Sequence, residues 1–154
     1  MSNLLDIVAR EEIYIGLLVG PTPDQVSEYW NEPSQRNNVL LLALDGENIV
    51  GWVNIKPRDL EIFRHTSGLG IGLLPEYRDK GLGTRLMNEA ITTAWSMGLE
   101  RIDLRVYASN ERAIKVYEKV GFVTEGIERR GRYLRGEYAD LVEMALLNPA
   151  HLSK

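Results

Sequence analysis

Cysteine is missing altogether from the 154-residue chain. Disulfide scaffolds, thiolate zinc sites and cysteine nucleophiles are thereby excluded. The absence suits a reducing cytoplasm, the location expected for this protein. Histidine is nearly missing. His65 and His151 stand alone, with no ligand-spaced partner. No metal is therefore expected, and each reads as a surface side chain. A basic excess is also missing: 18 Lys and Arg face 22 Asp and Glu, for a formal net charge of −4. A nucleic-acid partner has no electrostatic footing on such a chain. Long apolar runs are missing too. The longest nearly apolar stretch, Ile13 to Gly20, is far too short to span a bilayer. Met1 to Asp6 carries no basic segment of the kind that opens a targeting peptide. No membrane partner is expected.

What is present is the composition of a globular protein, 44% hydrophobic and 26% charged. It reads as one domain over residues 1–154, large enough to bury a core. Residues 12 to 19 are apolar and β-prone, which predicts an edge or first strand. Thr22-Pro23-Asp24-Gln25 predicts a helix start with a capping box, followed by an apolar side of Val26, Tyr29 and Trp30. Val39 to Leu44 and Ile49 to Ile55 flank an Asp-Gly turn and predict a hairpin. Pro57 to Thr66 reads as a loop, and Ser67 to Leu74 as a strand ended by Pro75. Lys80 to Met97 carries the strongest helical stripe, from Leu82 to Trp95, and Gly98 stops it. Arg101 to Val106 alternates, with Ile102, Leu104 and Val106 on one side. Asn110 to Val120 predicts a second helix with the stripe Ala113, Val116, Tyr117 and Val120. Phe122 to Leu147 predicts two strands joined near Arg135-Gly136. The order implies an α+β, mixed α/β fold: a central sheet with helices on its faces.

Five of the 14 glycines fall between Gly68 and Gly83. A strand ending in Pro75 runs there through a glycine-bearing turn into the best helix. A helix start leaves backbone N–H groups unpaired and carries partial positive charge. Gly81 and Gly83 remove Cβ atoms that would hold an anion off, and Arg78 and Lys80 add charge, so the turn can cradle phosphate. A plain strand-to-helix connection would use the same glycines for geometry alone. Two better-known phosphate loops fail. Gly83-Thr84-Arg85 lacks the lysine of a P-loop, and Gly68, Gly70 and Gly72 have the wrong spacing for a dinucleotide fingerprint.

Ile71-Gly72-Leu73-Leu74-Pro75-Glu76-Tyr77-Arg78-Asp79-Lys80-Gly81-Leu82-Gly83-Thr84 resembles the cofactor signature of the GNAT superfamily of N-acetyltransferases. A second stretch, Asn110-Glu111-Arg112-Ala113-Ile114-Lys115-Val116-Tyr117-Glu118-Lys119-Val120-Gly121-Phe122, resembles that family's Asn…Ala…Tyr…Gly-Phe helix. Gly131 to Met144 is similar to the branch with amino-acid and ribosomal-protein N-terminal acetyltransferases. The resemblance covers residues 39 to 147. It implies a mostly antiparallel twisted sheet of six to seven strands, with splayed central strands and helices on both faces. It also implies acetyl-CoA as co-substrate, with no metal. Backbone amides of Arg78, Asp79, Lys80, Gly81, Leu82 and Gly83, with Thr84, would hold the pyrophosphate. Ile71, Gly72 and Leu73 would run beside the pantetheine arm, with N–H groups near Leu73 polarising the thioester carbonyl. Asn110 and Ala113 would contact the same arm, Asn110 also capping its helix. Tyr117 would be the general acid that protonates the departing sulfur.

The acceptor side is less legible. The positions where some members of the family carry a Glu base are Ser67 and Arg105. Ser67 would hold a water, and Asp103 and Tyr107 are further candidates. Arg105 would bind an acidic group of the substrate, or pair with a neighbouring carboxylate. The acceptor is a small-molecule or peptide amine, and the C-terminal strands offer a surface for a homodimer. A non-catalytic acyl-CoA-binding sensor or assembly subunit is the alternative from another functional class.

Overall fold

A computed structural model of the chain describes residues 1–12, 18–31 and 37–151. Most of the strand expected over 12 to 19 falls on residues 13–17, outside the described residues. Glu12 takes left-handed backbone with φ 58°, and Leu18 and Val19 are in no strand. The chain opens instead on a helix, α1 (Ser2–Arg10), which sequence reading did not anticipate. Leu4 and Val8 make one buried side of it and pack on Trp52. Helix α2 (Pro23–Asn31) begins as expected. The Thr22 N–H donates to Gln25 Oε1 at 2.9 Å, and the Gln25 N–H donates to Thr22 Oγ1 at 3.3 Å. Its apolar side is not core, because no residue of α2 is buried.

Strands β1 (Val39–Asp45) and β2 (Asn48–Pro57) form the expected hairpin, with Gly46 at φ 59° in the turn. After a short 3-10 turn at Glu61–Phe63 comes β3 (Thr66–Leu73). Then follow α3 (Leu82–Ser96), β4 (Arg101–Tyr107) and α4 (Glu111–Val120). The long strands β5 (Val123–Leu134) and β6 (Glu137–Leu147) complete the sheet. Lys80 and Gly81 lie outside α3, because Gly81 at φ 77° is the residue from which the helix starts.

The described strands form one six-stranded sheet in the order β1-β2-β3-β4-β6-β5. All neighbours are antiparallel except β3 and β4. Helices cover both faces. α3 lies over β1 and β2, while α1 contacts β2 and β3 on the other side. Met87, Ile102, Val53, Ile55 and Met144 are fully buried between α3, α4 and the sheet. β4 shows the predicted alternation, with Ile102, Leu104 and Val106 all buried.

Two of the three glycines of β3, Gly70 and Gly72, have a packing cause that sequence reading missed. A Cβ on Gly72 would come within 2.1 Å of the Trp52 ring, and one on Gly70 within 2.7 Å of Asn54 Oδ1. Trp52 is 5% exposed and held by α1, so it has little room to yield. The indole of β2 therefore lies flat across the backbone of β3, and α1 seals it there. A Cβ on Gly68 would meet nothing within 4 Å. The two positions separate in a thermal melt. Gly72→Ala is expected to lose about 1–3 kcal/mol by overpacking, whereas Gly68→Ala keeps the wild-type Tm or raises it. Equal melting temperatures for the two variants would refute the Trp52 explanation.

Candidate active site

Parallel pairing of β3 with β4 lasts for three residues, Thr66 to Gly68 against Arg101 to Asp103. Both strands then continue, β3 to Leu73 and β4 to Tyr107, without pairing to each other. A wedge opens between them. On its two banks, backbone groups of Leu69–Leu73 and Leu104–Tyr107 face a gap that no protein strand fills, an arrangement that calls for ligand or water partners.

Among the described residues a pocket runs through this wedge, and a second borders it at Leu69, Leu104 and Arg105. Ile71, Gly72 and Leu73 line one bank, Arg105 and Val106 the other. Arg78, Asp79 and Gly81 close one end with the start of α3, which contributes Gly83, Thr84 and Met87. α4 supplies Asn110, Arg112, Ala113, Val116 and Tyr117, and α1 adds Val8. Residues far apart in sequence thus meet around one apolar channel with a polar end.

The polar end is the turn before α3. Gly81 provides no side-chain cap, and the first bond of the helix is from Arg85 N–H to Gly81 O at 3.1 Å. The N–H groups of Leu82, Gly83 and Thr84 are left pointing out of the helix start. Asp79 is also left-handed, at φ 60°, which curls the turn. α4 begins differently. The Asn110 carboxamide accepts from Ala113 N–H at 3.1 Å, so its start is already capped. At the α4 start the carboxamide claims one donor, that of Ala113, whereas at the α3 start no side chain claims any.

Arg78 is not the free cation that the sequence suggested. Its guanidinium donates to Leu73 O through Nε at 2.9 Å and Nη2 at 2.8 Å. It also grips both carboxylate oxygens of Glu11, at 2.8 and 2.6 Å. Its side chain is only 12% exposed. Arg78 therefore builds the turn, and the donors the turn could offer an anion are backbone N–H groups. Arg112, paired with Asp79 at 2.9 Å across the pocket rim, is a cation that sequence reading passed over. An arginine in the first turn of a helix opposes the dipole, and that conflict was a readable signal. Lys80 and Leu82 turn away from the pocket toward β1, with Lys80 over the Tyr77 ring.

Other placements correct the sequence reading. Ser67 is completely buried at the paired end of the wedge, and its hydroxyl donates to Arg101 O at 3.0 Å. It does not reach the pocket, so it holds no water there. Asp103 is held by Arg58 at 3.0 Å on both oxygens. Arg105 does line the pocket, 62% exposed, and pairs with Glu128 at 3.2 Å. Tyr107 stands under the Arg132 guanidinium at 4.8 Å. His151 sits 3.4 Å from Glu100, and the described residues contain no group of His, Asp and Glu able to hold a metal. No described helix is long and apolar enough to cross a membrane.

A family comparison decides what the site belongs to. The description "Acetyltransferase (GNAT) family" matches residues 7–122, from α1 through the end of α4. The chain belongs to the acetyltransferase (GNAT) family. It is an acetyl-CoA-dependent N-acetyltransferase, and the match reaches well ahead of residue 39, where the motif resemblance began. The chain is 32% identical over 144 residues to an L-amino acid N-acetyltransferase, AaaT, of Escherichia coli K12, covering 90% of this chain and 86% of that one. It is 30% identical over 139 residues to the N-alpha-acetyltransferase RimI of Mycobacterium tuberculosis, covering 86% and 81%. A crystal structure of a GNAT-family acetyltransferase from Streptococcus pneumoniae superposes with a TM-score of 0.86 at 32% identity, covering 96% of this chain and 91% of that one.

Within this acetyltransferase pocket Tyr117 projects from α4, its ring edge-on to Phe122 at 5.9 Å. Burial pushes its phenol up to about 12. The folded state thus keeps a proton that an exposed tyrosine would release near pH 10. The sign follows from linkage. This contribution to stability is fully present below the ordinary tyrosine pKa and is lost as pH rises from about 10 to about 12. In an absorbance titration, the difference between the native protein and Tyr117→Phe is expected to stay flat through pH 10 and rise only near 12. A phenolate step of one tyrosine near pH 10 would contradict the burial.

Proposed function

We propose that the enzyme transfers acetyl from acetyl-CoA to the primary amine of a small amino-acid-like substrate or a peptide N-terminus, by direct attack in a ternary complex with Tyr117 as general acid. One observation carries this reading: the open helix start of α3, the wedge-facing edge of Ile71–Leu73 and the protonated Tyr117 all line one pocket.

Bound acetyl-CoA supplies a thioester whose carbonyl carbon accepts the amine. Backbone amides from Asp79 to Gly83, with the Thr84 N–H, take the pyrophosphate, the Arg78 N–H being already given to Pro75 O at 3.2 Å, and Arg112 is placed to exchange Asp79 for a phosphate. Ile71, Gly72 and Leu73 run along the pantetheine arm as a strand would, and Asn110 and Ala113 face it from α4. N–H groups near Leu73 polarise the carbonyl. As the nitrogen–carbon bond forms and the carbon–sulfur bond breaks, Tyr117 gives its proton to the departing sulfur and regains one from solvent. Among the described residues that line this pocket the one carboxylate is Asp79, already paired with Arg112, so the amine enters neutral or loses its proton to water. Arg105 meets an acid on the acceptor by exchanging it for Glu128. The names of the two relatives, one for L-amino acids and one for N-alpha acetylation, support this substrate class. A homodimer would form along β5, the free sheet edge that exposes Val123, Ile127 and Tyr133.

A thiol-release assay with acetyl-CoA tests the reading on free L-amino acids, a short peptide, spermidine and an aminoglycoside. Turnover is expected on the first two classes. Acetyl-CoA binding without thiol release on any amine would make the protein a binding module. Tyr117→Phe is expected to lower kcat about 100-fold or more with acetyl-CoA affinity unchanged. A fully active variant across pH would remove Tyr117 from the chemistry. Arg105→Gln should raise KM for an amino acid with a free carboxylate and leave that of its amide unchanged; equal effects on both would place Arg105 outside acceptor recognition.

A further inference from the structure

Among the described residues, the end of α1 is one place besides the sheet itself where the two banks of the wedge are joined. Glu11 follows the last residue of the helix, and Glu12 follows with left-handed backbone, φ 58°. A glutamate adopts that conformation only where surrounding contacts hold it. Here they come from both sides. The Glu11 carboxylate takes two hydrogen bonds from Arg78, whose guanidinium also holds Leu73 O at the tip of β3. That is the donor bank and the anion turn. The Glu12 carbonyl accepts from Arg132 Nη1 at 2.7 Å, and its carboxylate pairs with Arg135 Nη2 at 2.7 Å. Arg132 lies over Tyr107 at the tip of β4, and Arg135 stands in the β5–β6 turn at φ 51°. That is the acceptor bank. The negative end of the α1 dipole adds to the attraction for the three guanidinium groups.

We propose that Glu11 and Glu12 are positioning residues that strap the two banks together and set the width of the wedge. Glu11 fixes the turn that takes the donor, and Glu12 fixes the β5–β6 hairpin beside the acceptor. Because the residues are consecutive, a shift on one bank is passed to the other, and donor and acceptor sites are mechanically linked. This rests on the wedge being the reaction site, as proposed above. The glycine backbone of β3 cannot stiffen that bank by itself, and β4 has no partner on its wedge side, so a cross-tie has a structural task.

Hydrogen exchange on the ligand-free full chain tests the strap without depending on activity. Glu11→Gln is expected to speed exchange about tenfold or more over Leu73 to Gly83, and Glu12→Gln over Arg129 to Gly136. The global Tm should stay within a few degrees of wild type in both, which separates loosening from unfolding. The same Glu11→Gln protein should bind acetyl-CoA about tenfold more weakly by titration, although no atom of Glu11 belongs to the proposed donor contacts. Unchanged exchange in both segments would overturn the strap. Uniformly faster exchange with a large fall in Tm would also overturn it, showing a general stabilising role. Failure of the wild-type protein to acetylate any amine would count against the proposed function and leave the exchange result standing.

Discussion

Three pairs of residues hold β3 to β4, and the rest of the site follows from the pairing stopping there. At the closed end the junction is dense. His65 O accepts from both Glu100 N–H and Arg101 N–H, and the buried Ser67 hydroxyl fastens to Arg101 O. Beyond Gly68 the strands part, and each keeps its outer neighbour, β2 or β6. A sheet that opens in this way carries unpaired backbone on both inner edges, a cost that folding tolerates only where something else meets those groups. A ligand with amides along its length matches that need. The helix starts then divide the labour. α4 is capped by a side chain, and α3 starts from a glycine that has none. The choice of Asn110 at one start and Gly81 at the other leaves the α3 start with one more donor open to an anion.

Features governed by short-range chemistry were readable in the sequence. The capping box of α2, the hairpin around Gly46, the alternation in β4, the Gly98 stop and the Asn110 cap are each set within a few residues. The site was readable where two local motifs flanked a strand, since their order alone brought Gly81 and Tyr117 to one pocket. What escaped reading depends on partners distant in the chain. Glu11 and Arg78 stand 67 residues apart, so nothing near Arg78 shows that its charge is already engaged. Gly72 seemed to make room for a ligand, yet Trp52 fills its open side. Helix α1 has neither a side-chain cap nor an acid in its first turn, so its start carried no signal, and its few apolar residues gain meaning only against Trp52.

The acceptor side is lined with ion pairs of unequal strength. Arg101 is gripped twice by Glu125 and is 28% exposed, which holds the Glu125 carboxyl below its usual range. Arg58 holds Asp103 by one nitrogen on both oxygens. Arg105 has the longest of these three contacts, 3.2 Å, and the most exposed guanidinium at 62%. Pairs this exposed are worth about 0–1 kcal/mol, so the Arg105–Glu128 pair would be given up at little cost. The same loss at Arg101 would break two short hydrogen bonds. Among these three arginines, Arg105 is the one whose ion pair is both the longest and the most exposed, which supports the proposed role for it.

The raised pKa of Tyr117 bears on the proton transfer proposed for it. A phenol at about 12 is always loaded with its proton near neutral pH, but it is a poorer acid for that. Against a thiol of ordinary pKa, about 8.5, the transfer would be uphill by about 3.5 units, or roughly 5 kcal/mol. Burial raises thiols as it raises phenols, because both lose charge stabilisation on leaving water. The mismatch shrinks when the sulfur shares the dry part of the pocket, among Met87, Val106 and Val116, and persists when it stays at the polar rim. Tyr117 therefore suits a thioester drawn fully into the wedge. The depth of that wedge follows from the point at which β3 and β4 stop pairing.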